Sequence, residues 1–147
     1  GRSVLSIGVI AFAMSLAPPS FASPAVALGS DPHWVLYFEK ANGDRHFFHE
    51  KSLKTGSDVI QVWNRIQFNA SVMGAYSYQN YVEIDCVRGQ ERTLEVTFFS
   101  DRNWSRPAMA TDTQEKPPQQ IQPSDPIASL FKILCGVTLS VVPEVSS

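Results

Sequence analysis

Histidines near acidic residues are the first candidates for chemistry in this sequence. His46 and His49 lie beside Asp44 and Glu50, and histidine with carboxylates is a set that can bind zinc. A helical turn would bring the two imidazoles together, but the intervening Phe47-Phe48 pair favours a β-strand. Side chains three positions apart on a strand point to opposite faces. The sequence therefore predicts no metal site, and histidines that line a strand.

Acid–base and nucleophilic catalysis find equally little support. Glu83 and Asp85 fall on one face of a predicted strand, where paired carboxylates could act as acid and base. Neighbouring acids on one strand face are more commonly a solvated surface. The sequence contains no Gly-x-Ser-x-Gly nucleophile elbow. We expect no catalytic residue and no cofactor, and we predict that the protein is not an enzyme.

The chain has two cysteines, Cys86 and Cys135. Cys86 ends a predicted strand, and Cys135 lies in the last turn of a predicted helix. Two cysteines in an exported chain usually pair, and closing the loop between them would contribute about 4 kcal/mol in the chain-entropy model. The alternatives are two unpaired buried thiols or a zinc site, although two isolated cysteines make a poor tetrahedral ligand set.

The N-terminal segment has the layout of a secretory signal peptide. Arg2 precedes the apolar run Val4–Leu16, which is followed by small residues and prolines. The run is shorter than the roughly 20 residues that span a bilayer, and prolines oppose the alternative of a buried helix. Cleavage is predicted after Ala22 or Ala27. Because no cysteine near these points could carry a lipid, we expect an unanchored, periplasmic or secreted chain.

This assignment divides the sequence into three parts: a signal peptide and lead-in at 1–27, one domain at 28–136 and a tail at 137–147. The net charge is −2, and the cationic residues are scattered along the chain. A weakly acidic chain without a basic cluster does not attract nucleic acid or an anionic membrane. We therefore expect neither as a partner, and no membrane insertion of the mature chain.

Alternating hydrophobicity predicts an antiparallel sheet. In Val59–Phe68 the even positions are mainly apolar and the odd positions mainly polar. The same pattern recurs in Tyr78–Cys86 and in Arg92–Ser100. In the last of these segments the predicted inward residues are Leu94, Val96 and Phe98, and the predicted outward residues are Thr93, Glu95 and Thr97. The turn Asn42-Gly43 joins two further predicted strands, His33–Lys40 and Arg45–His49. Residues 70–77 are predicted to form a loop. This arrangement indicates a meander with one solvated face.

A helix is predicted after a polar, proline-rich linker at 111–124. Asp125 is a suitable N-cap, Pro126 fits the first helical position, and Gly136 is the expected end. One apolar stripe follows from the i, i+3, i+4, i+7 spacing of Ile127, Leu130, Phe131 and Leu134. The predicted fold class is α+β: an antiparallel meander of about five or six strands with one C-terminal helix packed on one face.

Trp63 and Tyr81 are predicted to lie on the polar side of their strands. Together with Arg65 they form a candidate interaction surface, because exposed aromatic residues can anchor a partner or a second copy of the chain. The alternative is that a second layer covers them. Residues 101–124 or the tail could supply that layer.

The order and spacing of these segments resemble the surface-adhesin protein E family of exported bacterial proteins. The resemblance rests on the following residues of this sequence: Trp34-Val35-Leu36-Tyr37, Phe47-Phe48, Ser52-Leu53, Thr55-Gly56-Ser57, Val62-Trp63, Glu83-Ile84-Asp85-Cys86 and Leu134-Cys135. It implies a curved antiparallel sheet with a C-terminal helix tethered to one face by the Cys86–Cys135 disulfide. It also implies a binding protein that contacts host or envelope proteins.

Two functions are carried forward from the sequence. The first is an exported, non-enzymatic binding domain with a protein partner or a homodimeric contact. The second is a periplasmic carrier that holds an apolar small ligand between the helix and the sheet. A carrier should contain a cavity of a few hundred cubic ångströms lined by apolar side chains, whereas a binding domain should have a filled core and an exposed aromatic patch.

Overall fold

A computed structural model describes residues 31–136 of the chain. One antiparallel sheet and one helix make up this part, and the signal peptide and tail predictions lie outside it. The strands are β1 (Trp34–Glu39), β2 (Arg45–His49), β3 (Lys54–Thr55), β4 (Val59–Val72), β5 (Ala75–Asp85), β6 (Gln90–Phe99), β7 (Ala108–Asp112) and β8 (Gln119–Gln120), and the helix is α1 (Pro126–Cys135).

The strands form a meander in the order β1-β2-β4-β5-β6-β7. The two short strands lie off this path, with β3 on β4 and β8 on β6. The predicted α+β class and six-strand meander are confirmed, and the two-residue strands are additional. Residues 50–52 form a 3-10 turn between β2 and β3.

The hairpin of β4 and β5 is longer than predicted. Residues 70–77 do not form a loop, because both strands continue to a two-residue turn at Met73-Gly74. Met73 has φ 52° and Gly74 has φ 87°, and two successive positive φ angles are characteristic of a type I′ hairpin turn. The alternating pattern does not indicate this turn, because Ala70 and Ser71 do not continue the alternation of β4.

The helix packs on one face of the sheet as its apolar stripe requires. Leu130 and Phe131 are buried against Val62, Val82 and Ile84 of the central strands. Asp125 and Pro126 stand at the predicted start, and Gly136 ends the helix in the left-handed conformation, with its amide donating to the Lys132 carbonyl. Apolar contact with the sheet therefore fixes the position of a helix only ten residues long.

The disulfide joins the helix to the sheet. Cys86 follows β5 and Cys135 ends α1, with an S–S distance of 2.05 Å and a Cα–Cα distance of 5.5 Å. The pairing is confirmed, and both alternatives, free thiols and a zinc site, are wrong.

The proline-rich linker contributes to the core, which the sequence did not predict. β8 pairs with β6, and Ile121 follows it into the buried cluster under α1. The Ile121 amide donates to the Gly89 carbonyl at 2.9 Å. Ile121 is a single apolar residue among glutamines and prolines, so no periodicity marked it as buried.

The predicted faces of β6 are wrong at its start. Tyr81 pairs with Glu95 and Val82 pairs with Thr93, so Leu94 is an extra residue in β6. A bulge of this kind reverses the inward and outward positions on one side of it. Thr93 consequently lies on the helix side of the sheet and not on the opposite side as predicted.

Candidate functional site

The candidate interaction residues Trp63 and Tyr81 lie side by side. They are directly paired across β4 and β5, and their ring centroids are 4.7 Å apart. They therefore lie on the same face of the sheet, as the alternation of their strands predicts. The predicted exposure of Trp63 is wrong, since only 7% of its surface is accessible. Tyr81 is half-buried, and its hydroxyl donates to the Gln61 side-chain oxygen.

Arg65, the third of these residues, is buried between two indole rings. Its guanidinium carbon lies 4.3 Å from the ring centroid of Trp34 and 4.6 Å from that of Trp104. The Arg65 Nε atom donates to Gln79 Oε1 at 2.8 Å. Burial lowers the pKa of Arg65 to about 10, although the charge of Asp31 opposes this shift. A cation held between two aromatic faces is stabilised there without water.

Trp104 reaches this position from the loop between β6 and β7, for which the sequence carries no strand or helix pattern. The Asp101 carboxylate accepts hydrogen bonds from the amides of Asn103, Ser105 and Arg106 and from the Ser105 hydroxyl. Trp104 itself adopts φ 54° and donates its indole N–H to the Tyr78 carbonyl. An aspartate followed by Asn and Ser is a local turn signal. It is the feature of the sequence that indicates an ordered loop here.

The face that the sequence predicted to be solvated thus carries a second core. Its buried members are Trp34, Phe47, Trp63 and Trp104. Of the two alternatives for Trp63, a covering layer is the one observed, and the loop at 101–107 supplies it. The arrangement accounts for a large apolar ring next to polar neighbours in β4.

An exposed apolar surface lies elsewhere, at the end of the β4–β5 hairpin. We call it the tip surface and define it by Val72, Met73 and Met109, whose exposed fractions are 50%, 96% and 49%. These residues line a groove of about 240 Å³ together with Ala75, Phe98 and Ala110. The lining contains no polar side chain, and neither core reaches Met73.

Two arginines stand on the loop beside the tip surface. Arg102 lies over the Tyr76 ring at 5.7 Å and donates to the Asn69 carbonyl of β4. Arg106 is exposed, two residues before β7. The nearby Asp101 carboxylate is engaged within its own loop. The loop beside the tip surface therefore carries two arginines and one ionised aspartate, a net positive charge in a protein whose net charge is negative.

A different pocket lies beside the N-terminal end of α1. It has a volume of about 220 Å³, and we call it the helix pocket. Pro126 and Ile127 of the helix form one wall, and the sheet supplies mainly polar residues: Tyr37, His46, Asn64, Tyr78, Asn80 and Glu91. Two short hydrogen bonds of 2.6 Å cross its floor, from the Tyr37 hydroxyl to Asn64 Oδ1 and from Asn64 Nδ2 to Asn80 Oδ1.

Burial perturbs the titratable groups of the helix pocket. It lowers the pKa of His46 to about 4, helped by the charge of Lys40, so the imidazole is neutral at pH 7. It raises the pKa of Tyr78 to about 12, and burial together with the negative charge of Asp125 raises the pKa of Glu91. The His46 Nε2 atom is buried without a hydrogen-bond partner among the described residues.

The structure separates His46 from His49 as predicted. His46 lines the helix pocket, whereas His49 Nε2 lies 2.9 Å from Asp31 Oδ2 near the second core. Within residues 31–136 no three His, Cys, Asp or Glu side chains are grouped closely enough to bind a metal ion.

The paired carboxylates of β5 have structural partners. Glu83 accepts from Arg92 at 2.7 Å and from Gln61 at 3.0 Å. Asp85 accepts from the amides of Val87 and Arg88 and holds the turn after β5. These contacts use the oxygens that an acid–base pair would need. In the same described part of the chain, no helix is long and apolar enough to span a bilayer.

Comparison with known proteins gives a family match and a shared fold. The family model for surface-adhesin protein E matches residues 34–136. No curated protein matches the chain. A structure of Haemophilus influenzae protein E is similar with a TM-score of 0.56 at 13% identity, covering 78% of this chain and 90% of that chain. A second crystal form of that protein gives a TM-score of 0.58 at 13% identity over 84% and 97% of the two chains. Identities this low show the common fold alone.

Proposed function

Since the chain belongs to the surface-adhesin protein E family, we propose that it is an exported, non-enzymatic binding protein whose partners are host or envelope proteins. Export agrees with the Cys86–Cys135 disulfide, because such bonds persist in oxidising compartments. Adhesion is a binding function and requires an accessible contact surface. The tip surface is the part of the molecule best suited to this role.

Met73 is the observation that supports the assignment. A large apolar side chain is 96% exposed at a turn position with positive φ, where Asn, Asp or Gly would be favoured. The left-handed conformation costs an ordinary residue about 1 kcal/mol. Because Met73 contributes to neither core, burial of its side chain does not offset that cost. Flexible methionine side chains are, however, well suited to contact surfaces.

The surroundings of the tip surface define the chemistry of the partner. An apolar groove bordered by Arg102 and Arg106 fits a protein segment that presents an apolar side chain flanked by acidic residues. The apolar side chain would enter the groove, and the acids would face the arginines. A second copy of this chain, the homodimeric alternative, is a different occupant that the experiment below distinguishes.

Trp63, Tyr81 and Arg65 have a supporting role in this proposal. Trp63 and Arg65 are enclosed in the second core, so only Tyr81 offers a partner any accessible ring surface. The second core packs on the sheet that carries the long hairpin. We therefore assign the direct contact to Met73 and its neighbours.

The apolar carrier is not favoured by any specific observation. The space between α1 and the sheet is occupied by the apolar cluster around Leu130 and Phe131. The cavity that remains near the helix, the helix pocket, has a mainly polar lining. The 240 Å³ apolar groove belongs to the hairpin end and not to the helix interface.

Binding of purified host matrix and plasma glycoproteins to Met73→Asn tests the proposal. Asparagine tolerates the turn conformation, so the fold should be kept while the apolar contact is removed. We expect affinity for a bound glycoprotein to fall at least tenfold. Val87→Asn is a matched control, since Val87 is also an exposed apolar residue but lies in the turn after β5, at the other end of that strand.

Two outcomes would contradict the proposal. One is unchanged affinity in Met73→Asn, which would remove the tip surface from the contact. The other is concentration-dependent self-association in sedimentation experiments that Met73→Asn abolishes, without binding to any glycoprotein, which would make a second copy of the chain the occupant.

A further inference from the structure

The helix pocket contains a carboxylate without a counter-ion. Glu91 is half-buried in its wall, and its side chain makes no hydrogen bond or ion pair with any residue in the described range 31–136. The other negative charge acting on it is that of Asp125 at the start of α1. Removing a carboxylate from water without a partner costs free energy. A cation entering the pocket would compensate for that cost.

The remaining lining suits the same kind of ligand. The rings of Tyr37, His46 and Tyr78 border the pocket, and the Tyr37 and His46 centroids are 5.9 Å apart. Aromatic faces attract ammonium and guanidinium groups. His46 is neutral, so it does not repel a cation.

Three polar residues of the pocket are hydrogen-bonded to one another. Tyr37 donates to Asn64, and Asn64 donates to Asn80, so this chain of hydrogen bonds forms a fixed floor. The Glu91 carboxylate is the charged acceptor that remains for a ligand in this pocket. A carboxylate beside aromatic rings selects donors that carry positive charge.

The volume limits the size of the ligand. A cavity of about 150 Å³ accommodates benzene, so 220 Å³ corresponds to about nine non-hydrogen atoms. We infer that the helix pocket binds a small organic cation, a primary amine or guanidinium compound of this size or the side chain of a lysine or arginine, with Glu91 as its counter-ion. This site is separate from the tip surface, and its occupancy does not depend on the proposed adhesive function.

Titration of the disulfide-bonded protein with matched probes, followed by proton–nitrogen NMR, tests the inference. Hexylamine and agmatine should shift the side-chain amide signals of Asn64 and Asn80, with dissociation constants in the millimolar range or below. The isosteric alcohol 1-hexanol should bind at least tenfold more weakly than hexylamine. Nα-acetyl-lysine methylamide tests whether the pocket also accepts a lysine side chain that is flanked by peptide groups. If this probe binds and the free amines do not, the cation comes from a partner protein.

Glu91→Gln removes the charge with little change in shape. We expect its affinity for hexylamine to fall at least tenfold, whereas Glu95→Gln, on the same strand but paired with Tyr81 on the other face, should bind like the parent. Unchanged tryptophan fluorescence would show that both variants are folded. Equal binding of hexylamine and 1-hexanol, equal binding by Glu91→Gln and the parent, or no amide shift with any cationic probe would overturn the inference.

Discussion

The guanidinium of Arg65 lies 4.6 Å from the ring centroid of Trp104, and this contact joins the centre of the sheet to a loop outside it. Arg65 belongs to β4, whereas Trp104 belongs to the connection between β6 and β7. The contact closes the second core. It makes the integrity of the loop at 101–107 a condition for the burial of Trp63.

Replacing Arg65 by lysine should therefore destabilise the protein. Lysine retains the charge but loses the planar stacking on both indoles and the hydrogen bond to Gln79. We expect the free energy of unfolding to fall by about 2 kcal/mol, measured by urea denaturation. In the control Arg45→Lys, the replaced side chain is 41% exposed and contacts one ring, so the loss should stay below about 0.5 kcal/mol. Equal losses in the two variants would show that stacking between two indole rings does not stabilise the protein more than contact with one ring.

The variant Trp63→Ala tests whether Trp63 is a core residue or an exposed contact residue. Deleting a buried indole removes its apolar contacts and leaves a cavity, so the free energy of unfolding should fall by about 3–5 kcal/mol. Val87→Ala, in an exposed turn, should change it by less than about 0.5 kcal/mol. A loss in Trp63→Ala below about 1 kcal/mol, accompanied by reduced association in sedimentation, would restore the original prediction that Trp63 is a contact residue.

Acid should loosen the loop that carries Trp104. Burial alone would raise the pKa of Asp101, but hydrogen bonds from Ser105 and from three backbone amides outweigh it and lower the pKa below the usual value. A carboxylate with a lowered folded-state pKa stabilises the protein above its unfolded-state pKa of about 3.9. That stability is lost as the pH falls through the folded-state value.

Tryptophan fluorescence can follow this change, because all three tryptophans of the sequence belong to the second core. We expect the emission to shift to the red below about pH 4, and Asp101→Asn to show part of this shift already at pH 7. Asp112→Asn is the control, since Asp112 also has a lowered pKa through the Gln114 amide but lies outside this core. Identical acid titrations of all three proteins would contradict the assignment.

Loss of the disulfide should cost the same whichever cysteine is replaced. Cys86→Ala and Cys135→Ala each open a loop with a sequence separation of 49 residues, which corresponds to about 4 kcal/mol. The double variant should be no less stable than either single variant, because the bond is already absent in both. Melting temperatures of the three variants and of the reduced parent check this expectation, and additive losses would show that each cysteine contributes mainly through its own packing.

The parts of the fold that the sequence predicted are those with local signals. The alternation in β4 and β5, the Asn42-Gly43 turn and the Asp125-Pro126 start of α1 each mark their own position. The faces of Trp63 and Tyr81 were predicted correctly for the same reason. The burial of Trp63 was not predicted, because whether a face of the sheet is covered or solvated depends on contacts between residues that are distant in the chain.

The features that were not predicted also depend on contacts between residues that are distant in the chain. Trp104 and Ile121 come from segments with polar or proline-rich composition, and each is buried by a contact with a remote strand. The helix pocket needed the bulge at Leu94, which places Thr93 and Glu91 on the helix side and cannot be seen in a regular alternation. The groove at the hairpin end needed a turn at Met73-Gly74, where methionine is an unfavourable residue.

The disulfide also determines what a protease can remove. The segment between β7 and β8 is largely exposed, with the Glu115 side chain 85% accessible, and it lies between Cys86 and Cys135 in the sequence. Cutting after Glu115 with a glutamate-specific protease should yield two fragments on a reducing gel and one band on a non-reducing gel. The nicked molecule would keep α1 docked on the sheet, so a single cleavage there cannot release the C-terminal segment that contains α1.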